Sequence, residues 1–286
     1  MKRNKRNGDV MPLSDEPATG TVRDKTIRDF GDQWNRFKAV DNEGFYGSVE
    51  HLQDTFGPLL DVNRLAGANV AEIGSGPGRF VNMLLDAGVE HVTALEPSSG
   101  LDVLKINTKL RANRITYVHA AGEELPLGRF DLVFSVGVLM LIPDPHPVVD
   151  RAFQALKPGG EMLIWLYSRE GNELYLTFVE PLRWLTTKLP DAFVVALSHV
   201  LNIFLSLYMY PCRWLPLPRY RHIRHVIAKM TWRQRTLVIF DQLNPAHAKY
   251  YRRVEAEGLL RDSGFVNVQI YHRHGYSWAM KGSKPS

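Results

Sequence analysis

Cysteine is nearly absent from this chain of 286 residues, which contains only Cys212. A single cysteine excludes an internal disulfide and is typical of a reducing compartment, so we expect a cytoplasmic protein. The basic N-terminus, MKRNKRNGDV, lacks the apolar segment that a secretory signal peptide needs. We expect residues 1–25 to form a disordered basic tail.

A large excess of charge of either sign is also lacking, because 35 Lys and Arg residues oppose 30 Asp and Glu residues and leave a net charge of +5. This balance is compatible with nucleic acid or with anionic lipid headgroups and specifies neither. No cluster of metal-ligating residues stands out in the sequence. His222 and His225 are close together, but their stretch is basic and repels cations, so we predict no metal site.

Strand-like and helix-like segments alternate from about residue 68 to residue 168, as in NVAEIG followed by RFVNMLLDAG. Alternation at this spacing is typical of βαβ units in a parallel sheet, with helices on both faces. It resumes near residue 246 with a helix, HAKYYRRVEAEGLLRDSG, and two closing strands. We therefore predict an α/β fold with a Rossmann-like, doubly wound, mostly parallel sheet. Its core is residues 65–169 and 246–286, a helical segment at 26–64 precedes it, and a helical cap at 170–245 follows the fifth strand.

Three glycines interrupt the end of the first strand in VAEIGSGPGRF. The dinucleotide-binding pattern G-x-G-x-x-G would place its third glycine at position 79, which is Arg79 here. Glu72, two residues before the first glycine, would repel a pyrophosphate but attract a cation. The loop therefore favours a cationic ligand, and a nicotinamide-dependent dehydrogenase is the alternative.

The stretch E-x-G-x-G-x-G at residues 72–78 resembles the first motif of class I S-adenosylmethionine-dependent methyltransferases, particularly the methyltransferase type 11 group. The resemblance covers about residues 65–170 and 246–282. It implies S-adenosyl-L-methionine as the cofactor, with its methionine moiety wrapped by the glycine loop and its ribose hydroxyls bound by Glu96. Where relatives commonly carry an adenine-contacting Asp this chain has Ala121, and backbone groups near Gly122, or Glu123, are the substitutes. The cofactor-binding residues predicted are Glu72, Gly74, Ser75, Gly76, Gly78, Glu96, Pro97, Gly122, Glu123 and Ser135.

Methyl transfer requires the nucleophile, the methyl group and the sulfur to be aligned, and a hydroxyl nucleophile also needs a general base. Ligands of such sheets lie beyond the carboxyl ends of the strands, which makes Tyr167, after the fifth strand, a candidate. The segment FDQLNPAHAKYY adds Asp241 and His247, with His247 as the hypothetical base. The alternative is that this segment is only a turn and a helix N-cap.

Residues 192–212, AFVVALSHVLNIFLSLYMYPC, contain no Asp, Glu, Lys or Arg. The stretch is long enough to cross a bilayer, but one crossing would separate the last two strands from their sheet. Two interpretations remain, a helical cap buried over the active site or a cap lying in a membrane interface. Residues 213–235 mix aromatic and cationic side chains, which suits anionic lipid and also RNA, although no recognised RNA-binding module accompanies them.

We therefore predict methyl transfer from S-adenosyl-L-methionine to a small or lipid-linked acceptor of the glycan, quinone or secondary-metabolite type. The predicted partners are that acceptor and an anionic membrane surface, at which a cytoplasmic protein would bind peripherally. The alternatives are an RNA methyltransferase that uses residues 213–235 and a non-catalytic S-adenosylmethionine-binding protein.

Overall fold

The computed structural model describes residues 19–38, 43–245 and 247–286. Within these ranges one sheet of seven strands has the order β3-β2-β1-β4-β5-β7-β6. The strands are β1 (Asn69–Ile73), β2 (His91–Leu95), β3 (Ile115–Val118), β4 (Phe130–Val136), β5 (Leu156–Tyr167), β6 (Val266–Arg273) and β7 (Ser277–Ser283). β1 to β5 are parallel, β7 is antiparallel to β5, and β6 is antiparallel to β7. The predicted Rossmann-like, mostly parallel α/β fold is confirmed.

Helices flank the sheet and build the cap. They are α1 (Thr19–Arg36), α2 (Val49–Phe56), α3 (Arg79–Asp86), α4 (Gly100–Asn107), α5 (His146–Ala155), α6 (Glu173–Thr186), α7 (Asp191–Met209), α8 (Tyr220–His225), α9 (Trp232–Leu243) and α10 (Arg253–Asp262). Helix α1 begins at Thr19, so residues 19–25 are helical where the sequence suggested a disordered tail. The rest of that predicted tail, residues 1–18, lies outside the described residues.

The core lies on both faces of the sheet, because helices pack against each face. One face packs against α5 and α10, through side chains such as Val148 and Leu259. The other packs against α2 and α3, through Phe56 and Leu84. In α3, RFVNMLLD, apolar residues recur at helical spacing and turn one face inward, where each large side chain contributes about 1.5–3 kcal/mol of hydrophobic stabilisation.

The order of the strands reverses between β1 and β4, since β2 lies on one side of this pair and β5 on the other. Helices from opposite faces diverge at such a point, and a crevice opens beyond the carboxyl ends of the strands. Residues 74–78 and 137–141 follow the two strands and border this crevice. The fold therefore places the glycine loop at the edge where ligands bind.

The segment before α10 differs from the sequence prediction. A helix was expected from His247, whereas α10 begins at Arg253 and residues 247–252 are extended. The Tyr251 N–H donates to the Tyr167 carbonyl (2.9 Å) and the Lys249 N–H to the Met140 carbonyl (2.8 Å). These bonds hold the segment beside the end of β5, and this pairing outweighs the local helical pattern.

The cap, residues 170–245, has a small apolar core of its own between α6, α7 and α9, which includes Val179, Val194 and Phe240. Helix α7 buries polar side chains and exposes apolar ones. Ser198 and Asn202 are fully buried, while Phe193 and Phe204 on its outer side are mostly exposed. The Asn202 side chain donates to the Thr236 hydroxyl of α9 (3.0 Å). By length and composition α7 is apolar enough to cross a membrane. Only 17% of its most apolar stretch of 18 residues is buried in the protein.

Candidate active site

A cavity of about 640 Å³ lies beyond the carboxyl ends of β1, β4 and β5, which is a size typical of small-molecule sites. The glycine loop and Glu96 line its floor, and Phe30 and Trp34 of α1 line one side. Residues from α6, α8 and α9 line the roof. The core and the cap thus enclose one site together.

The glycine loop adopts a backbone conformation that disfavours other residues. Gly74, Gly76 and Gly78 have φ angles of 73°, 50° and 89°, in the left-handed region. A Cβ at Gly74 would lie 2.4 Å from Val138 Cγ2, and one at Gly78 would lie 2.6 Å from Leu104 Cδ1. The three glycines therefore allow a tight turn under neighbouring side chains, with Gly74, Ser75 and Gly76 lining the cavity.

Glu96 holds this loop in place from the end of β2. Its Oε2 accepts the Gly76 N–H (2.8 Å), and its Oε1 accepts both the N–H (3.0 Å) and the hydroxyl (2.5 Å) of Ser98. A carboxylate has about four lone-pair sites, so some acceptor capacity, on Oε2, remains for a ligand. Glu96 and Pro97 both line the cavity.

Glu72, near the end of β1, is a buried carboxyl group that forms no ion pair with a cation among the described residues. Its Oε2 has no hydrogen-bond partner among the described residues, although it lies in the wall of the cavity. Burial raises the pKa of Glu72 to about 8, while the charge of Arg79 acts in the opposite direction. A ligand with an ammonium group would supply the missing charge, so this residue fits the amine of S-adenosylmethionine.

The other predicted cofactor residues differ in whether they line the cavity. Gly122 is buried against Val148 and lines the cavity. Glu123 also lines the cavity, but its carboxylate is paired with Arg23 of α1 at 2.9 Å. Ser135 differs from the prediction because its side chain is fully buried within β4 and is not part of the cavity wall. In this part of the chain the cavity wall begins one residue after Ser135, at Val136.

Two of the three catalytic candidates line the cavity, namely Tyr167 and Asp241, and His247 does not. The extended course of residues 247–252 keeps His247 outside, which corrects its expected position. Burial lowers the pKa of His247, and the imidazole Nε2 is buried without a partner among the described residues. The Asp241 carboxylate accepts a hydrogen bond from Gln33 of α1.

Three tyrosines meet at one glutamine on the roof side of the site. The Gln242 Oε1 accepts the hydroxyls of Tyr250 (2.7 Å) and Tyr175 (3.0 Å), and the Gln242 Nε2 donates to the Tyr167 hydroxyl. Tyr167 and Tyr250 are stacked with ring centroids 5.0 Å apart. Burial raises the pKa of Tyr167 well above its usual value, so its hydroxyl keeps its proton and can donate to a ligand.

Sequence reasoning missed Gln242 and Tyr175 as site residues, counted Arg219 only among the cations facing anionic lipid, and considered His222 only as a rejected metal ligand. All four line the cavity. No local pattern marks them, because they come from α6, α8, α9 and the turn before α8 and meet only when the cap folds over the core. The mixed basic and aromatic composition of residues 213–235 was the available signal, and it does not distinguish an inward arginine from an outward one.

Residues 71–164 match a family model described as a methyltransferase domain. A protein named uncharacterized methyltransferase from Mycobacteroides abscessus is 28% identical over 170 residues, which are 54% of this chain and 65% of that protein. The ubiquinone biosynthesis O-methyltransferase of Aromatoleum aromaticum is 31% identical over 129 residues, 40% of this chain and 55% of that protein. The chain therefore spans roughly half to two thirds of the length of these relatives.

Solved structures of methyltransferases share the fold. The 1,6-didemethyltoxoflavin-N1-methyltransferase of Burkholderia thailandensis, solved with bound 1,6-didemethyltoxoflavin and S-adenosylhomocysteine, aligns with a TM-score of 0.54 at 16% identity over 97% of this chain and 94% of that one. Magnesium protoporphyrin IX methyltransferase from Synechocystis, with bound S-adenosylhomocysteine, gives 0.52 at 16% identity over 93% and 99%. The methyltransferase domain predicted from the sequence is confirmed for residues 71–164.

Proposed function

On the premise that residues 71–164 belong to the methyltransferase domain family, we propose that this protein transfers a methyl group from S-adenosyl-L-methionine to a small or lipid-linked acceptor. The observation that carries the proposal is the arrangement of Glu72, the glycine loop and Glu96 around one cavity. A buried carboxyl group without a cation, a left-handed glycine turn and a second carboxylate on the loop suit an amine, a methionine chain and a ribose. A phosphate would lie between the carboxyl groups of Glu72 and Glu96, which disfavour an anion.

The cofactor supplies a methyl group already activated by a positive sulfur, and the protein's task is to bind and align. We assign Glu72 to the ammonium group, the loop of Gly74, Ser75, Gly76 and Gly78 to the methionine chain, and Glu96 with Pro97 to the ribose. We assign the backbone at Gly122, which lines the cavity, to the adenine edge. Glu123 can join it by exchanging its contact with Arg23.

On the acceptor side, we assign Tyr167 to hydrogen bonding and Asp241 to accepting a proton. Tyr167 is held by Gln242 and stays protonated, so it can donate to an oxygen of the acceptor. Asp241 offers a carboxylate in the cavity wall. Its side chain is positioned by Gln33, so substrate binding and the orientation of α1 are connected through one hydrogen bond.

A lipid-linked acceptor is supported by a second, smaller cavity of about 190 Å³ between α6, α7 and α9. It shares Tyr175, Phe178, Ile239 and Gln242 with the main cavity and is otherwise lined by Val179, Leu182, Leu201 and Leu243. Apolar side chains predominate there, and Phe178 is exposed at its rim. A hydrocarbon chain could extend from the reaction centre along this groove to the outer face of the cap.

An anionic membrane surface is the partner we propose for that outer face. Large apolar and aromatic side chains of α6, α7 and the segment after α7 are exposed; the set is Phe178, Trp184, Phe193, Phe204, Leu207, Tyr210 and Trp214. Arg213, Arg224 and Arg233 lie in the same region of the sequence and are exposed. Apolar and aromatic residues beside cations are typical of proteins that lie in a membrane interface. The protein would then act in the cytoplasm, peripherally bound.

The transfer is tested with S-adenosylmethionine that carries a labelled methyl group. The protein is incubated with a bacterial extract, after which lipid, RNA, protein and small-molecule fractions are counted separately. Label in the lipid or small-molecule fraction supports the proposal, and Glu96→Ala should reduce it strongly at low cofactor concentration. Label in RNA would favour the nucleic-acid alternative, and binding of the cofactor without any labelled product would favour a non-catalytic role.

A further inference from the structure

Arg219 is a cation of the cavity wall that the proposed transfer does not use. It lies in the turn before α8, with a φ angle of 59° in the left-handed region, where residues other than glycine are uncommon. Such backbone geometry persists when the surrounding structure holds it, and it concentrates at functional sites. Here it carries the guanidinium into the cavity.

Aromatic rings position the Arg219 guanidinium without neutralising it. Its central carbon lies 4.3 Å from the ring centroid of Tyr175 and 5.7 Å from that of Tyr276. Among the described residues no carboxylate forms an ion pair with Arg219, and its Nε has no hydrogen-bond partner. Other arginines of the cavity are occupied: Arg23 pairs with Glu123, and Arg273 pairs with Asp54.

His222, one turn along in α8, adds a second polar group to the same wall. It is 93% buried, with an exposed fraction of 7%, and its Nδ1 has no hydrogen-bond partner among the described residues. Burial and the nearby charges of Arg219 and Arg273 lower the pKa of His222 well below its usual value. The imidazole is therefore neutral, and its N–H can donate one hydrogen bond.

From these contacts we propose that the acceptor carries an anionic oxygen group, a carboxylate or a phosphate, which binds to Arg219 with a hydrogen bond from His222. A guanidinium is well matched to both groups because it donates two parallel N–H bonds. The proposal rests on the proposed function and deepens it. The acceptor becomes an amphiphile whose anionic group lies at the cap, beside the tyrosines, while its apolar part occupies the groove between α6 and α7.

The test is calorimetric binding of octanoate, octyl phosphate and 1-octanol to the full chain in the presence of S-adenosylhomocysteine. The three probes share one apolar chain and differ in the head. We expect at least one anion to bind about tenfold or more tightly than 1-octanol, because hydrogen bonds between charged groups are stronger than neutral ones. Preference for octanoate would indicate a carboxylate and preference for octyl phosphate a phosphate.

Substitutions test whether Arg219 causes the preference for anionic probes. Arg219→Gln should remove it while leaving the affinity for 1-octanol unchanged, and Arg219→Lys should retain part of it. Arg221→Gln is the matched control, because Arg221 is exposed, lies two residues away and does not line the cavity. Equal binding of the three probes to the original protein, or an anion preference that survives Arg219→Gln, would overturn the proposal.

The affinity for S-adenosylhomocysteine, measured in the same experiments, separates the two levels of inference. If it is normal and methyl transfer occurs but no anion preference is found, the anion site is wrong and the transfer stands. If the original protein fails to bind S-adenosylhomocysteine, the proposed function is wrong, and the three probes still report whether Arg219 selects anions.

Discussion

Two helices of this protein use apolar residues in opposite ways. In α3, which packs on the sheet, Leu84 is fully buried and the polar Asp86 is exposed. In α7, on the cap, Ser198 and Asn202 are fully buried, while Leu207 is 66% exposed. Helix α3 follows the rule for water-soluble proteins, and α7 reverses it. The difference supports the proposal that the outer face of the cap contacts a membrane surface.

The opposite burial patterns of α3 and α7 also suggest different tasks for the core and the cap. The core supplies a rigid edge of the sheet where the loop, Glu72 and Glu96 are held by backbone bonds and burial. The cap has an apolar exterior, and it contributes Gln242 and Arg219 to the cavity wall, where we propose that the acceptor binds. Changes in the core should therefore affect folding and cofactor binding, whereas changes on the outer face of the cap should affect lipid binding alone.

A matched pair of leucines gives the largest expected contrast. Leu84→Ala should lower the free energy of unfolding by about 2–5 kcal/mol, because it leaves a cavity in a packed core. Leu207→Ala should change it by about 0.5 kcal/mol or less, since the side chain is mostly exposed. Urea denaturation of both variants measures the contrast, and equal losses would show that α7 is packed in solution by contacts that this structure lacks.

The next largest effect is expected for a core residue in cofactor binding, and it is somewhat smaller than the loss of stability in Leu84→Ala. Glu96→Ala leaves the Gly76 and Ser98 N–H groups without their carboxylate and should weaken S-adenosylhomocysteine binding about 10- to 100-fold, or about 1.5–3 kcal/mol. Calorimetry measures this loss. Phe204→Ser on the cap is the control and should bind normally. A wild-type affinity in Glu96→Ala would exclude Glu96 from the cofactor site.

Vesicle binding should show the reverse dependence. Phe204→Ser should weaken binding to vesicles of phosphatidylcholine with phosphatidylglycerol by about tenfold, because burial of one Phe contributes about 1.5–3 kcal/mol. Leu110→Ser is the control, since Leu110 is 90% exposed but lies on the core. High salt should release the original protein by screening its cations. Co-sedimentation provides the measurement, and a protein that never binds vesicles contradicts the assignment of this face.

The pH dependence of cofactor binding is the smallest effect expected. The pKa of Glu72 is about 8 without ligand, and an ammonium group bound beside it would lower that pKa. Binding below pH 8 should therefore release a proton, and the affinity for S-adenosylhomocysteine should rise with pH by at most tenfold per unit, levelling off near pH 8. Glu72→Gln should remove the slope. A slope that persists in Glu72→Gln would assign the proton to another group.

The fold and the cofactor side of the site were accessible from the sequence because their signals are local. Each strand is a short apolar run, and the spacing of Glu72, Gly74, Gly76 and Gly78 within seven residues already specifies a turn and a charge. Glu96 follows at the end of the next strand, so the regular topology brings it to the same edge. Ser135 was misplaced because a buried strand and the loop after it share the same apolar composition.

Apart from Tyr167 and Asp241, the proposed acceptor side was not accessible, because it is formed by long-range contacts. Tyr167, Tyr175, Gln242 and Tyr250 come from four parts of the chain, and only tertiary packing brings their polar groups together. His247 was misjudged because its extended segment is fixed by pairing with the end of β5, which no local pattern reveals. In α7 the composition was clear, yet the direction of its polar stripe depends on the contact between Asn202 and Thr236.

Methyl transfer to lipid is the most direct test of this division between core and cap. Labelled S-adenosylmethionine is supplied with total lipid extract in anionic vesicles, and extracted lipid is counted for the original protein, Phe204→Ser and Leu110→Ser. We predict label in the lipid fraction, reduced about tenfold in Phe204→Ser and unchanged in Leu110→Ser. Label confined to water-soluble products, at equal rates in all three proteins, would contradict a membrane-facing cap.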